Sequence, residues 1–368
     1  INWSYALFFY QNSVALNDKL LNDIFSSIEI QLDHIYRNIS LSKIAIRNNH
    51  AVTETLTLYL ISLYFPFLRN AKKYKVLGKK WFEDEIRFQI FDDGSDSQYS
   101  FNYHRVKVQL LSLAISSAHV NKESFRDCVY ERSEKSVGFL THVMGNYENG
   151  WLPNFGHNDG SVYFKLNSVD YRSYIPQVYA LSTLLNLKLP FEIKEDYSED
   201  SFWYNFKLKN QGDVDPLLRT KNVKLGISEF EYGGYVVLNE LNSTTVCKTP
   251  LLKFRAAQDD LFHLDIWHKG YNVFMDTGSY SYNTDEITSM SFNGVAGHNT
   301  ASLNGNNHML KGPRFTWLYK PKLLSSETFE DEDKYQIVSS MLVTYPKKYT
   351  MKRTITKYKK FNVWEVED

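Results

Sequence analysis

The sequence has only two cysteines, Cys128 and Cys247, and they lie far apart in the chain. They cannot form the disulfide framework of a small secreted domain, and they lack the spacing of metal-ligating pairs. No run of about 18 apolar residues occurs, so the sequence predicts no membrane-spanning helix. The 42 basic residues are balanced by 42 acidic residues. Because non-specific nucleic-acid binding depends on a basic surplus, the composition argues against nucleic acid as a partner.

Aromatic residues, in contrast, are plentiful: 26 Tyr, 24 Phe and 7 Trp make up 15% of the chain. Large hydrophobic cores explain such an excess, and so do clefts that bind the faces of sugar rings. A length of 368 residues is enough for two domains with cores of their own. The chain begins with Ile1 and shows no signal peptide, so we expect a processed or cut start.

Apolar residues recur at helical spacing through the first 190 residues or so. The pattern predicts helices within residues 14–36, 52–64, 106–118 and 174–187. Pro66 and Pro190 follow two of these stretches, where proline would end a helix. Successive helical hairpins of this kind can form a toroid, so we interpret this half as all-helical.

The pattern changes to that of strands from about residue 225. Residues 232–238 are typical of extended chain, residues 262–268 alternate, and Lys269-Gly270 predicts a turn into residues 271–276. Further strands are predicted in 336–345 and 349–367, and the last residues look like the middle of a sandwich that is cut short. The polar stretch 194–224 is the candidate linker. We therefore predict a helical domain over 1–205 and an antiparallel β-sandwich over 206–368.

Three side chains of the helical half suit one particular chemistry, the cleavage of a glycosidic bond by elimination at a uronic acid. That reaction needs a group that binds the uronate carboxylate, a base for the C5 proton and an acid for the leaving oxygen at C4. Asn49 supplies an amide, while His50 and Tyr103 supply groups that transfer protons. Each has a plainer interpretation, because His50 could cap a helix and Tyr103 is one of 26 tyrosines.

Two polar loops are expected to surround these residues. Residues 92–100 form a turn-rich segment that should place Tyr103 at the mouth of the domain rather than inside a helix. Residues 154–160 form a second loop, in which His157 and Asp159 could bind sugar or simply hold the loop. The predicted substrate-binding side chains from these regions are Gln98, His104, Arg105, Asn154, His157 and Arg172.

Imidazoles and carboxylates in the second half suggest a metal site. The candidates are Gln258, His263, Asp265, His268, Asp276 and His298. Carboxylate with imidazole suits zinc or calcium, according to the remaining ligands. A hydrogen-bonded structural cluster would use the same residue types.

The sequence resembles the heparinase II/III-like polysaccharide lyases, including relatives that act on alginate. The resemblance is carried, in the family's order and over nearly the whole chain, by residues 1–5, 48–54, 93–105, 154–160, 258–280 and 297–300. It implies an (α/α) toroid followed by an antiparallel β-sandwich, with a cleft that holds the active site. It also implies export to the periplasm or cell surface, and an exopolysaccharide or capsule as a plausible target.

The resemblance further implies roles for individual residues. Asn49 would bind the uronate carboxylate, while His50 and Tyr103 would divide the base and acid work. His263 would point into or near the cleft and contact substrate. A structural divalent metal, zinc or calcium, would be held by Gln258, Asp276 and His298.

We therefore predict that the protein is a polysaccharide lyase that acts on an anionic polysaccharide. The sequence assigns no oligomeric state. Three alternatives remain open on the sequence. A uronate C5-epimerase would use the same groups, and a glycoside hydrolase would use two carboxylates from Asp92, Asp93, Asp96 and Asp159. A non-catalytic glycan-binding protein would use only the aromatic cleft.

Overall fold

The computed structural model describes residues 1–145, 149–190, 193–204 and 223–368. The contacts divide the chain into two compact units. The first consists of Ile1–Gln89 and Leu110–Glu131, and the second of Ile90–Gln109 and Arg132–Asp368.

The first unit is helical. Its helices include α1 (Asn2–Phe9), α2 (Asp18–Ser40), α3 (Asn49–Tyr64) and α4 (Ala71–Gln89). A π-helical turn, Leu41–Ile46, follows α2 directly. Asn17 and Asn48 begin α2 and α3, since their side chains accept hydrogen bonds from Leu20 N and His50 N respectively. The apolar faces of α2, α3 and α4 share one core, which includes Leu32, Leu58 and Tyr74.

Two longer helices have residues in both units: α5 (Phe101–Val120) and α6 (Asp127–Met144). The second unit adds α7 (Ile175–Leu184) and the short α8 (Glu199–Tyr204). The predicted helices over 52–64, 106–118 and 174–187 correspond to α3, α5 and α7. Most of the predicted stretch 14–36 lies in α2.

A five-stranded antiparallel sheet begins the strand-rich part of the second unit, in the order β1-β2-β3-β4-β5. Its strands are β1 (Gly226–Phe230), β2 (Tyr235–Asn239), β3 (Ser243–Lys248), β4 (Leu264–His268) and β5 (Tyr271–Phe274). The predicted hairpin turn is confirmed between β4 and β5. Both of its residues have left-handed backbone, with φ of 49° at Lys269 and 83° at Gly270.

A four-stranded antiparallel sheet follows, in the order β11-β10-β9-β8. The short pair β6 (Leu310–Lys311) and β7 (Trp317–Leu318) precedes β8 (Lys322–Glu330), β9 (Lys334–Val343), β10 (Tyr349–Tyr358) and β11 (Trp364–Glu367). One buried cluster joins Val236, Leu264 and Ile266 of the first sheet to Ile337 and Ile355 of the second. The two sheets therefore pack face to face as a sandwich.

The predicted fold class, helices followed by an antiparallel sandwich, is confirmed. The strand structure predicted over residues 349–367 is divided by a turn into β10 and β11. An additional helix, α9 (Glu286–Asn293), connects β5 to β6. The predicted boundary between the helical domain and the sandwich, at residues 205 and 206, lies outside the described residues. The candidate linker 194–224 includes α8, and its middle, 205–222, is likewise outside them. Among the described helices, none is both long and apolar enough to cross a membrane.

Candidate active site

Tyr103 lies in the first turn of α5, so the prediction that it stands outside any helix is wrong. The reason is Ser100, which the sequence presents as the end of a polar loop. Its Oγ accepts a hydrogen bond from Tyr103 N at 3.2 Å, as a helix-capping serine does. The same hydroxyl donates to the carbonyl of His157 at 2.6 Å. Ser100 thus both begins α5 and fastens it to the 154–160 loop.

The Tyr103 hydroxyl has two hydrogen-bond partners. It lies 3.0 Å from Oδ2 of Asp159 and 2.9 Å from the hydroxyl of Tyr282. Tyr103 is half-buried, whereas the residues on either side of it, Asn102 and His104, are buried. The ring of residue 103 is therefore the part of this helical turn that reaches the surface.

Tyr103 is a neutral phenol at ordinary pH. Burial raises the pKa of Tyr103 to about 12, with the negative charge of Asp159 adding to the rise and the hydrogen bond from Tyr282 and the charge of Arg255 opposing it. The pKa of Asp159 is lowered: burial would raise it, but hydrogen bonds from Ser161 and Tyr103 outweigh that effect. A neutral phenol therefore faces an ionised carboxylate.

Aromatic rings pack around this pair of groups. The ring of Tyr282 lies 5.6 Å from that of His157 and 5.1 Å from that of Phe315, and His157 and Phe315 are themselves 5.1 Å apart. Burial, with the nearby charges of Arg255 and Lys311, lowers the pKa of His157 to about 4. His157 is therefore a neutral, half-buried ring that packs against Tyr282, one of the two hydrogen-bond partners of Tyr103.

Two residues predicted to bind substrate, His104 and Arg105, are almost completely buried. Nε2 of His104 lies 2.5 Å from Ser136 Oγ, and burial lowers the pKa of this imidazole to about 4. Arg105 donates to the carbonyl of Tyr171 and to Asn102 Oδ1, and its guanidinium lies over the rings of Tyr171 and Tyr174. These contacts do not favour a sugar-binding role. They hold α5 in place instead.

The other predicted substrate-binding residues of this unit are more accessible. Gln98, Asn154 and Arg172 are half-buried. The backbone N–H of Gln98 donates to Asp96 Oδ1 at 2.9 Å, and the Arg172 guanidinium lies 4.7 Å from the centre of the Trp151 ring. Their contact with substrate stays a prediction.

Asn49 and His50 lie in the first unit, at the beginning of α3. Asn49 is half-buried and His50 is exposed. The preceding Asn48 fixes this helix start, because its side chain caps α3 and its carbonyl accepts a hydrogen bond from Gln89 at 2.8 Å. The first turn of a helix carries partial positive charge, which favours an anionic group near these two residues.

A buried cluster in the sandwich brings together His263, Asp276 and His298. Each offers one ligand atom, and these atoms lie within 4.8 Å of one another. Asp276 Oδ2 is 2.8 Å from Nδ1 of His298 and 3.5 Å from Nδ1 of His263. Two of the predicted metal ligands, Asp276 and His298, thus meet. The third member is His263, which was among the sequence's metal candidates but which the family resemblance assigned to substrate contact.

Gln258, the third predicted metal ligand, uses its amide for backbone contacts. Oε1 accepts a hydrogen bond from Gly156 N and Nε2 donates to the carbonyl of Gly278, both at 3.0 Å. It therefore ties the 154–160 loop to the segment that follows Asp276. A role as ligand stays a prediction, and the cluster favours His263 for that position.

The donor set of the buried cluster fits a divalent cation. Two imidazoles and a carboxylate are typical zinc ligands, whereas calcium would require more oxygen atoms. Nε2 of His263 and Nε2 of His298 are buried and have no hydrogen-bond partner within the described residues. Burial lowers the pKa of His298, but its contact with Asp276 outweighs this effect, so the pKa is raised overall. An orphaned buried nitrogen is costly, and a cation would satisfy Nε2 of His298. Nδ1 of His263 accepts a hydrogen bond from Asn299 N at 2.9 Å, and a cation at this nitrogen would take the place of that bond.

Sequence reasoning missed Tyr282 and Phe315 as members of the site. Tyr282 lies just beyond residues 258–280, which carry part of the resemblance, and a second tyrosine at residue 280 made it inconspicuous. Phe315 is more than 200 positions from Tyr103, and no periodic pattern connects them. Only the fold brings Phe315 to the ring of Tyr282.

Comparison with known families accounts for most of the chain. The family described as Heparinase II/III N-terminus matches residues 2–173, and the family described as Heparinase II/III-like, C-terminal, matches residues 223–368. The chain belongs to the heparinase II/III-like family. The predicted resemblance is confirmed. No curated protein matches the chain.

Solved structures show the same fold. A heparinase III with methylated lysines is 16% identical, with a TM-score of 0.67 over 96% of this chain and 49% of its own. Another heparinase III is 17% identical, with a TM-score of 0.65 over 96% of this chain and 51% of its own. The heparan sulfate lyase HepC from Pedobacter heparinus is 18% identical, with a TM-score of 0.62 over 96% of this chain and 50% of its own. The chain thus spans about half the length of these structures.

Proposed function

We propose that this chain is the toroid-and-sandwich part of a polysaccharide lyase that cleaves a uronic-acid-containing glycan by β-elimination. Family membership and the likeness to heparinase III and heparan sulfate lyase structures support the reaction class. The observation that carries the proposal is the Tyr103 hydroxyl, a neutral phenol held by hydrogen bonds at the partly exposed start of α5.

The proposed reaction breaks two bonds and forms a double bond. A base removes the C5 proton, the C4–O bond breaks, and a C4=C5 double bond forms while the leaving oxygen takes up a proton. The carboxylate on C5 must be hydrogen-bonded or neutralised, because negative charge spreads onto it as the proton leaves. No water is consumed, which distinguishes the reaction from hydrolysis.

Each proposed role follows from the chemistry of a side chain and its place in the helix that carries it. Tyr103 is the acid, because a phenol with a pKa of about 12 carries its proton at neutral pH. His50, an exposed imidazole, is the base. Asn49 binds the uronate carboxylate through its amide, with the partial positive charge of the α3 start favouring the anion.

A structural divalent cation is part of the proposal. His263, Asp276 and His298 would hold it, and zinc fits that donor set better than calcium. When bound, the ion would supply no proton transfer but would fix the segment from Asp276 to Tyr282 in the sandwich. Ser279 lies in that segment and bonds to Gly156 O and Asn158 N, both at 3.0 Å. The chain's own residues thus connect the cluster to the 154–160 loop.

An anionic polysaccharide is the proposed substrate class. Heparan sulfate is the first to assay, because HepC is a heparan sulfate lyase, followed by alginate, hyaluronan-type and bacterial capsular glycans. A periplasmic or cell-surface location belongs to the same proposal, since such polymers are found outside the cytoplasm. Cell fractionation would test the location separately from the chemistry.

The decisive experiment follows the ultraviolet absorbance of the unsaturated uronate as each glycan is incubated with the protein. Tyr103→Phe should reduce kcat by about 10²–10⁴-fold with little change in KM, because only a proton-transfer group is removed. The matched control is Tyr319→Phe, an exposed tyrosine that stacks on Tyr345. Full turnover by Tyr103→Phe would contradict the assigned role.

The same assay separates the alternative reactions. An epimerase would exchange the C5 proton with solvent without forming the double bond. A hydrolase would incorporate oxygen from labelled water into the new reducing end. A binding protein would retain glycan affinity in both the parent and Tyr103→Phe with no product in either.

A further inference from the structure

The phenols of Tyr103 and Tyr282 and the carboxylate of Asp159 form a directed chain of hydrogen bonds. Each phenol has one proton to donate, and an ionised carboxylate can only accept. Because Asp159 is ionised, Tyr103 donates to its Oδ2 at 3.0 Å. The 2.9 Å contact between the two hydroxyls must then be donated by Tyr282.

The geometry points to Tyr282 as the positioning residue of the proposed acid, Tyr103, with Asp159 holding the other end of the chain. This inference rests on the proposed function. In the resting protein Asp159 accepts a hydrogen bond from the Tyr103 hydroxyl, which keeps its proton. When the C4–O bond breaks, that proton passes to the leaving oxygen, the base takes the C5 proton, and Tyr103 becomes a phenolate. Tyr282 still donates its hydrogen bond to that phenolate and so stabilises the charge as it develops.

Contacts on either side of Tyr282 fix the position of its ring. Its segment starts at Asp276 in the buried cluster and is fastened to the 154–160 loop through Ser279. Its ring then packs against the rings of both His157 and Phe315. A phenol held in this way donates its hydrogen bond without first being ordered, which is the condition for electrostatic stabilisation without reorganisation.

The charged groups that face Tyr103 act in opposite directions. Asp159 raises the pKa of Tyr103, whereas Tyr282 and Arg255 lower it. His157 is neutral at ordinary pH and contributes no charge. Removal of the Tyr282 hydroxyl should therefore raise the pKa of Tyr103, and neutralisation of Asp159 should lower it. The two substitutions should thus shift the pKa of Tyr103 in opposite directions. A general loss of order in the site would not produce opposite shifts.

The first test is a pH titration of the full chain labelled with 13C at the tyrosine ζ carbon, followed by NMR. The Tyr103→Phe spectrum assigns the resonance. Asp159→Asn should move the Tyr103 midpoint below that of the parent, and Asp159→Asn/Tyr282→Phe should move it back upward. A midpoint that does not differ between the single and the double variant would overturn the inference.

The second test is kinetic and uses Tyr280→Phe as the matched control. Tyr280 is two residues away, 70% exposed, and stacked on Phe292 rather than on the site. Tyr282→Phe should lower kcat about 10- to 100-fold with KM within about twofold, the loss expected when a hydrogen bond to a charged group disappears. Tyr280→Phe should match the parent, and melting temperatures should agree among all three proteins.

Failure of the inference and failure of the proposed function give different results. If Tyr103→Phe is inactive but Tyr282→Phe keeps the parent kcat and its titration is unshifted, the lyase assignment stands and the positioning role is excluded. If the parent shows no elimination on any glycan, the titration still establishes or overturns the hydrogen-bond chain.

Discussion

The side-chain amide of Asn154 occupies the space that a side chain on Gly278 would need. A Cβ at residue 278 would lie 2.0 Å from Asn154 Nδ2, and Gly278 has a φ of +77° that favours glycine. This contact joins the 154–160 loop, which contributes Asp159, to the segment that leads to Tyr282. The spacing of the groups around Tyr103 therefore depends on a residue with no side chain.

Gly278→Ala should destabilise the protein and disturb the site. We expect a loss of about 1–3 kcal/mol in the free energy of unfolding, from backbone strain and the overlap with Asn154. Chemical denaturation measures it. The control is Gly138→Ala inside α6, where a Cβ would meet nothing within 4 Å, and a gain of about 0.5–1 kcal/mol is expected. Equal effects of the two substitutions would contradict this account.

Asn49→Ala should lower kcat on a uronan by about 10²–10³-fold, because the charge that develops on the uronate carboxylate loses a preorganised donor. The rate of unsaturated-product formation measures the effect. Asn38→Ala is the control, since Asn38 lies on an exposed part of α2 and its amide donates to the carbonyl of His34 at 2.8 Å. Turnover close to that of the parent would remove Asn49 from the mechanism.

The purified protein should contain about one zinc ion per chain, with His298→Ala losing it. Elemental analysis measures the ion directly, without reference to activity. A chelator should lower the melting temperature of the parent and leave that of His298→Ala unchanged, because binding to the folded state alone adds to stability. His119→Ala, which alters an exposed histidine of α5, should keep the metal. Metal retained in His298→Ala would exclude the cluster as its site.

The buried ion pair of Lys248 and Asp260 should respond unequally to single and double substitution. The two groups are 2.5 Å apart and neither side chain is exposed. Lys248→Met should cost about 3–5 kcal/mol in the free energy of unfolding, because it leaves a buried carboxylate without its partner. Lys248→Met/Asp260→Leu should recover much of that loss. Urea denaturation of the three proteins tests this, and a double variant less stable than Lys248→Met would contradict it.

Much of the fold followed from local patterns in the sequence. Apolar residues at helical spacing predicted α3, α5 and α7, and Lys269-Gly270 predicted the β4–β5 hairpin, because both signals depend on near neighbours in the chain. The start of α5 was missed because a capping serine looks like a loop residue until its hydrogen bond to Tyr103 N is seen. The additional helix α9 was missed as well.

The candidate site, like the fold, was predicted in part from the sequence and in part only shown by the structure. The sequence by itself determined which chemical groups are available, since Asn49, His50, Tyr103, Asp276 and His298 were identified by residue type and order. The tertiary structure alone decided that Arg105 is buried between tyrosines, that His263 and not Gln258 lies with Asp276 and His298, and that Tyr282 meets Tyr103. The reason is physical: burial and hydrogen-bond partners arise from contacts between residues distant in the chain, which local composition does not encode.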